Sequence, residues 1–180
     1  MKKLIGLFIL IIVLIFAGLL YWLGFFDKVV VTEMEQGPYI LVYENHQGDY
    51  RNINFAIDTV YYRLLNEEQI QTTQGFGVYY DNPKLVAKED LRSIGGVILD
   101  PMYENQVGDL ERRFNIKKIS AQPAVVVEFP YKNKLSIIAG VYRVYPVIQK
   151  YLTEKNYPTK EMMEIYDSAN HKITYLMFLD

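Results

Sequence analysis

The chain has 180 residues, 16 of them tyrosine, no cysteine, and a formal net charge of −2. The missing cysteines exclude thiol catalysis, disulfides and thiolate metal sites, and His46 and His171 are too few and too far apart in sequence to suggest a metal centre. The negative balance, larger once Lys2 and Lys3 are set aside, argues against a nucleic-acid partner, and no cofactor is expected.

The first element is the uncharged run Leu4 to Phe26. Its length as a helix, roughly 34 Å, is enough to cross a hydrocarbon core. A secretory leader has a shorter apolar core and a small-residue cleavage site, whereas this run ends in the bulky Tyr21-Trp22-Leu23-Gly24-Phe25-Phe26. An uncleaved single-pass anchor over residues 1–27 is expected, with Tyr21 and Trp22 at the interface. Lys2 and Lys3 precede the span, and Asp27, Lys28, Glu33 and Glu35 follow it. The positive-inside bias therefore puts the N-terminus in the cytoplasm and the domain, residues 28–180, on the outer side.

Beyond the anchor the pattern runs twice. In the first module, about 29–100, "PYILVYEN" reads as a strand, and Ile53, Ala56, Ile57, Val60 and Leu64 mark one face of a helix. Two strands follow, "GFGVYYDNP" with its Asp81-Asn82-Pro83 turn and "LRSIGGVILD". In the second module, about 115–180, "PAVVVEF" is a strand. Ser136 can cap a helix carrying Ile137, Val141, Val144, Ile148 and Leu152, with Pro146 inside it as a kink or a new start. "EMMEIYDS" and "KITYLMFL" close the module as a strand pair. Setting Tyr80-Asp81 against Tyr166-Asp167 nearly superposes the modules. The expected fold is α+β: duplicated strand-helix-strand-strand modules in one antiparallel sheet, two helices on one face, the other face open, and a single transmembrane helix in front.

The motifs "YENHQGDY", "GVYYDNP" and "EIYD" resemble the GyrI-like domains, a family also described as effector-binding or SOUL-type. Together with "FPY", "LSI" and "RVYP", and with the anchor in front, they look closest to a membrane-anchored animal ER-phagy-receptor branch of that family. Members of that branch continue into a disordered tail that engages autophagy proteins. This chain ends at Asp180 in what reads as its last strand, so the autophagy role is not carried over, nor is the family's transcription-regulator role.

The resemblance implies a small aromatic or cationic ligand, or a peptide, in a groove between the modules. It also implies that the late E-x-Y strand meets it, which here means Glu164 and Tyr166. Alternation along that strand puts Glu164 and Tyr166 on one face and Met163 and Ile165 on the other. Helices are expected over Met163 and Ile165, leaving Glu164 and Tyr166 on the open face. Tyr80 would hold the Tyr166 position of the first module and Val78 that of Glu164, with Tyr50 closing the groove end. A carboxylate beside tyrosine rings suits a lipophilic cation. Some GyrI-like proteins look like hydrolases that open strained rings with a glutamate and an aromatic hydroxyl, so Glu164 with Tyr80 or Tyr166 is an alternative acid–base pair. A scaffold that docks a protein partner is a third reading. No separate catalytic constellation or metal-ligand spacing is present in the sequence.

Overall fold

A computed structural model of the chain describes residues 2–22, 25–26 and 28–179. Leu23, Gly24, Asp27 and Asp180, which the sequence reading assigns to the end of the span, to the charges after it and to the last strand, lie outside the described residues.

Helix α1 (Lys2–Trp22) is apolar on all sides and long enough to cross a membrane. Between Lys3 and Trp22 none of it is buried, so it is no part of the domain core. The domain itself is α+β. Strands β1 (Thr32–Gln36) and β2 (Tyr39–Gln47), helix α2 (Asn54–Glu68), and strands β3 (Gln74–Tyr79) and β4 (Arg92–Ile98) make the first half. After the short helix α3 (Val107–Leu110) come β5 (Asn115–Ile119), β6 (Gln122–Pro130), helix α4 (Lys134–Lys155), β7 (Met162–Asp167) and β8 (Lys172–Phe178). Each half therefore has one strand more than the sequence pattern suggests. Both extra strands, β1 "TEMEQ" and β5 "NIKKI", are mostly exposed and lack a run of apolar residues.

The helices follow from their spacing and caps. Ala56, Val60 and Leu64 give α2 one buried stripe, and Gln69 ends it in the left-handed conformation. Val144, Ile148 and Leu152 do the same for α4. Its N-cap is Asn133, in a reciprocal capping box with Ser136, which sits three positions inside rather than at the cap. Pro146 neither ends α4 nor starts a new segment, because the helix runs through it.

The eight strands form one antiparallel sheet in the order β1-β6-β8-β7-β3-β4-β2-β5. Two of its pairings are one ribbon. Thr32 faces Val126 and Gln36 faces Gln122, and the same register resumes with Tyr39 facing Ile119 and Tyr43 facing Asn115. The ribbon bends where the cis Gly37-Pro38 bond passes Ser120 and Ala121. Gly37 has a φ of +98°, and a Cβ there would lie 3.3 Å from the Ser120 carbonyl, so the close crossing needs glycine. Through this ribbon the sheet curls back on itself.

The curl overturns the expected open face. Phe76, Val78, Ile94, Val126, Met163, Ile165 and Leu176 are buried together on the side without helices. Helices α2 and α4 lie on the opposite, convex side, over Val42 and Val97 and over Val125, Val127 and Tyr175. Glu164 and Tyr166 belong to this helix-covered side, and Met163 and Ile165 face the interior of the curl. Alternation separates the two sets correctly; the assignment of faces is reversed. A curled sheet supplies its own cover on the concave side, so the helices take the convex one.

Candidate functional site

Strands β3 and β7 pair at the middle of the sheet, with Gly75 opposite Tyr166, Gly77 opposite Glu164 and Tyr79 opposite Met162. The two long helices pack mainly on the flanking strands, α2 on β4 and β2, α4 on β6 and β8. The central strip between them holds the polar cluster. Glycines leave room for it. A Cβ on Gly77 would lie 2.9 Å from the Tyr79 hydroxyl, and one on Gly75 would meet the Ile57 and Tyr166 side chains. Into this room the Tyr79 side chain folds back toward Tyr166.

Glu164 is 2% exposed. Tyr145, reaching down from α4, donates to its Oε1 at 2.6 Å, and Tyr166 donates to its Oε2 at 2.8 Å. The Tyr79 and Tyr166 hydroxyls are 2.9 Å apart. Since the Tyr166 proton points at the carboxylate, Tyr79 supplies the proton of that second bond. Tyr175 lies next to them with its ring edge-on to Tyr145 at 5.9 Å, and its buried hydroxyl has no hydrogen-bond partner among the described residues. Tyr131 borders the Tyr166 ring at 6.4 Å.

Burial raises the Glu164 pKa above 4.5, and the hydrogen bonds from Tyr145 and Tyr166 pull it partly back. Burial, then the nearby carboxylate, pushes the Tyr79, Tyr145 and Tyr166 phenols well above their usual range. No ion pair to Glu164 occurs among the described residues. Among the described residues, this buried carboxylate is satisfied by phenols alone. Such a group binds a proton or a cation more strongly than an exposed one, because either removes the cost of its buried charge.

The expected residues fare differently. Glu164 and Tyr166 come together, joined by a hydrogen bond. Tyr50 reaches the cluster only through Tyr79, packing edge-on at 4.8 Å while its hydroxyl holds the backbone of Asp81 and Arg92. Val78 and Tyr80 do not join it. Val78 is buried inside the curl. Tyr80 falls one residue past β3 and lines a separate open cleft of about 450 Å³ with Asn45, His46, Gln47, Arg92 and Ser93. Tyr79 is the counterpart of Tyr166. They share a face and lie 87 residues apart, one more than the spacing that sets Tyr80 against Tyr166. In this alignment Gly77 answers Glu164, so the strip carries its charge on one half only. Tyr79, Tyr145 and Tyr175 are the cluster members that sequence reasoning misses. The alternating glycines of "GFGVY" are the signal that marks the crowded face. His46 bonds Ser93 Oγ through Nδ1 at 2.9 Å, away from Glu164, and Asp81 holds Arg92 across its turn.

The chain is 32% identical to human testis-expressed protein 264 over 99 residues, and 33% identical to the mouse homolog over 100. These alignments take in 52% of this chain and 32% of either relative, so the match spans about a third of the relatives' length. Among solved structures, the C-terminal domain of EcmrR superposes with a TM-score of 0.52 at 13% identity, covering 84% of this chain and 96% of that one. EcmrR in its DNA complex superposes with a TM-score of 0.56 at 15% identity, covering 84% and 57%. At such identities these two structures establish the shared fold. The GyrI-like small molecule binding domain model matches residues 30–177, nearly the whole chain beyond α1, and the chain belongs to that family.

Proposed function

We propose that this is a membrane-tethered small-molecule-binding protein that takes a lipophilic aromatic cation against Glu164, between α2 and α4. The observation that carries the reading is the Glu164 carboxylate, nine-tenths and more buried, held by two phenols and facing no basic group in any ion pair among the described residues. A cation supplies the missing countercharge. The rings of Tyr79, Tyr131, Tyr145 and Tyr166 supply apolar area and negative π faces for it. Tyr145 lies over the carboxylate, so the ligand enters by displacing that side chain and shifting α4. The anchor, residues 1–27, holds the domain, residues 28–180, at the bilayer, where lipophilic cations concentrate.

The test is tetraphenylphosphonium binding to the full chain in detergent, set against triphenylphosphine oxide as a neutral ligand of related shape. Glu164→Gln keeps shape and removes the charge. The expected loss for the cation is about 1–2 kcal/mol, roughly 5- to 30-fold in Kd, with the neutral ligand nearly unaffected. Equal losses for both, or none for either, would make Glu164 structural.

A second reading is favoured by the same hydrogen bonds. Tyr166 and Tyr145 sit within proton-transfer distance of the carboxylate, the geometry that a general acid–base hydrolase of small hydrophobic substrates requires. It calls for turnover of a strained cyclopropyl substrate that Tyr166→Phe abolishes while binding persists.

A further inference from the structure

The outer face of α4 changes character along its length. Over its first turns it exposes Leu135, Ile138, Val141 and Tyr142, at 49%, 55%, 40% and 72%. Further along, the exposed positions are Pro146 and then Gln149, Lys150, Thr153, Glu154 and Lys155. The apolar half is the half next to α1. Lys132, two residues before α4 begins, donates through Nζ to the carbonyl of Trp22 at 2.6 Å, at the C-terminal end of α1 where a cation is favoured. Phe25 packs into the core beneath α4, and the Arg143 guanidinium lies 5.5 Å from its ring centroid. These contacts hold the start of α4 where the apolar helix ends, with Trp22 at the level that interfacial aromatics occupy.

We propose that the first two turns of α4 dock on the bilayer surface, with Leu135, Ile138 and Tyr142 inserted among the lipid headgroups. This rests on the reading of α1 as a membrane span. An interfacial helix buries its apolar face roughly 5–10 Å into the headgroup region, a depth that leucine, isoleucine and tyrosine side chains can occupy. Tyrosine fits such a depth, since its ring is apolar and its hydroxyl stays hydrated. The polar second half of α4 then stands clear of the lipid. The occupant is the bilayer rather than a soluble protein because the patch is contiguous with the anchor end and fades with distance from it.

The chain lacks cysteine, so single cysteines can be placed without background. The full chain is reconstituted into phosphatidylcholine vesicles with or without doxyl-labelled lipid. A nitrobenzoxadiazole fluorophore is attached in turn at Phe16→Cys, Ile138→Cys, Tyr142→Cys and Thr153→Cys. Docking predicts loss of emission in doxyl vesicles at positions 16, 138 and 142 and unchanged emission at 153. Quenching at 16 without quenching at 138 and 142 would overturn docking while leaving the span intact. No quenching at 16 would remove the span, and docking with it. Equal quenching at 138 and 153 would show contact without a specific face and overturn the proposal. A disulfide dimer of the unlabelled Ile138→Cys protein, with no lipid quenching of the labelled one, would assign the patch to a second copy and overturn docking.

Discussion

At position 164 a carboxylate is held in a place that water does not reach, which makes its proton a reporter of folding. In the unfolded chain the group ionises near 4.5, and in the folded chain it ionises higher because burial disfavours the charge. Between those values the folded state keeps a proton that the unfolded state has released, so stability falls as pH rises. Below 4.5 both states are protonated and the contribution is fully present. Glu164→Gln removes the titration. Melting temperatures of the two proteins are expected to lie close at pH 4, with the Gln variant gaining on the parent as pH climbs past 4.5. A constant difference at every pH would show that the carboxylate is solvated in the folded state. Under the proposed cation-binding reading, affinity should rise as pH climbs through the folded-state pKa of Glu164, because the cation takes the ionised carboxylate. That Glu164 and Tyr166 share a face was legible in the sequence because a strand repeats every two residues. Tyr145 was not, since which helical tyrosine lands on the carboxylate depends on where α4 crosses β7 and β8. The exposed setting expected for Glu164 failed because both faces of a curled sheet are buried, and alternation cannot say which face the helices cover.

The long helices show the same split between local and tertiary information. Periodic apolar residues were enough to place α2 and α4, although the cap of α4 is Asn133 rather than Ser136. The exposed strands β1 and β5 escaped because their pairing depends on β6 and β2 rather than on their own composition. Fine contacts between elements were out of reach too. Gly140 on α4 is one: a Cβ there would come within 2.1 Å of the Tyr175 hydroxyl on β8, and this glycine sets how closely helix and strand approach. Gly140→Ala gains about 1 kcal/mol in helix propensity and costs about 1–3 kcal/mol in overpacking, so a net fall in melting temperature is expected. Tyr175→Phe deletes the obstructing hydroxyl, which has no partner among the described residues. The double variant should recover the loss by calorimetry. Additive losses in the double variant would place the strain elsewhere.

For the molecule as a whole, the apolar helix α1 was plain from composition, while the closure of the sheet was not. Closure depends on a register shared by segments some eighty residues apart, and no local pattern encodes that. The lysine bias before α1 makes a topological prediction. A phosphatase or fluorescent reporter fused after Asp180 should report the non-cytoplasmic side, because Lys2 and Lys3 resist translocation. Cytoplasmic signal from the fusion would reverse the orientation and put the Glu164 site in contact with cytosolic ligands.

The ribbon between residues 32–43 and 115–126 joins the two halves in a way that side-by-side packing would not. Each half lends an outer strand to the other: β1 completes the second and β5 completes the first. Severing the chain within Pro101–Gln106 would leave two fragments, neither able to close around its own apolar side chains. Mixed together, they have every contact needed to reassemble. The pseudo-twofold axis relating the halves passes between Tyr79 and Tyr166, so two copies of one position face each other across it. The chain carries a carboxylate, Glu164, on one side of that axis and a glycine, Gly77, on the other.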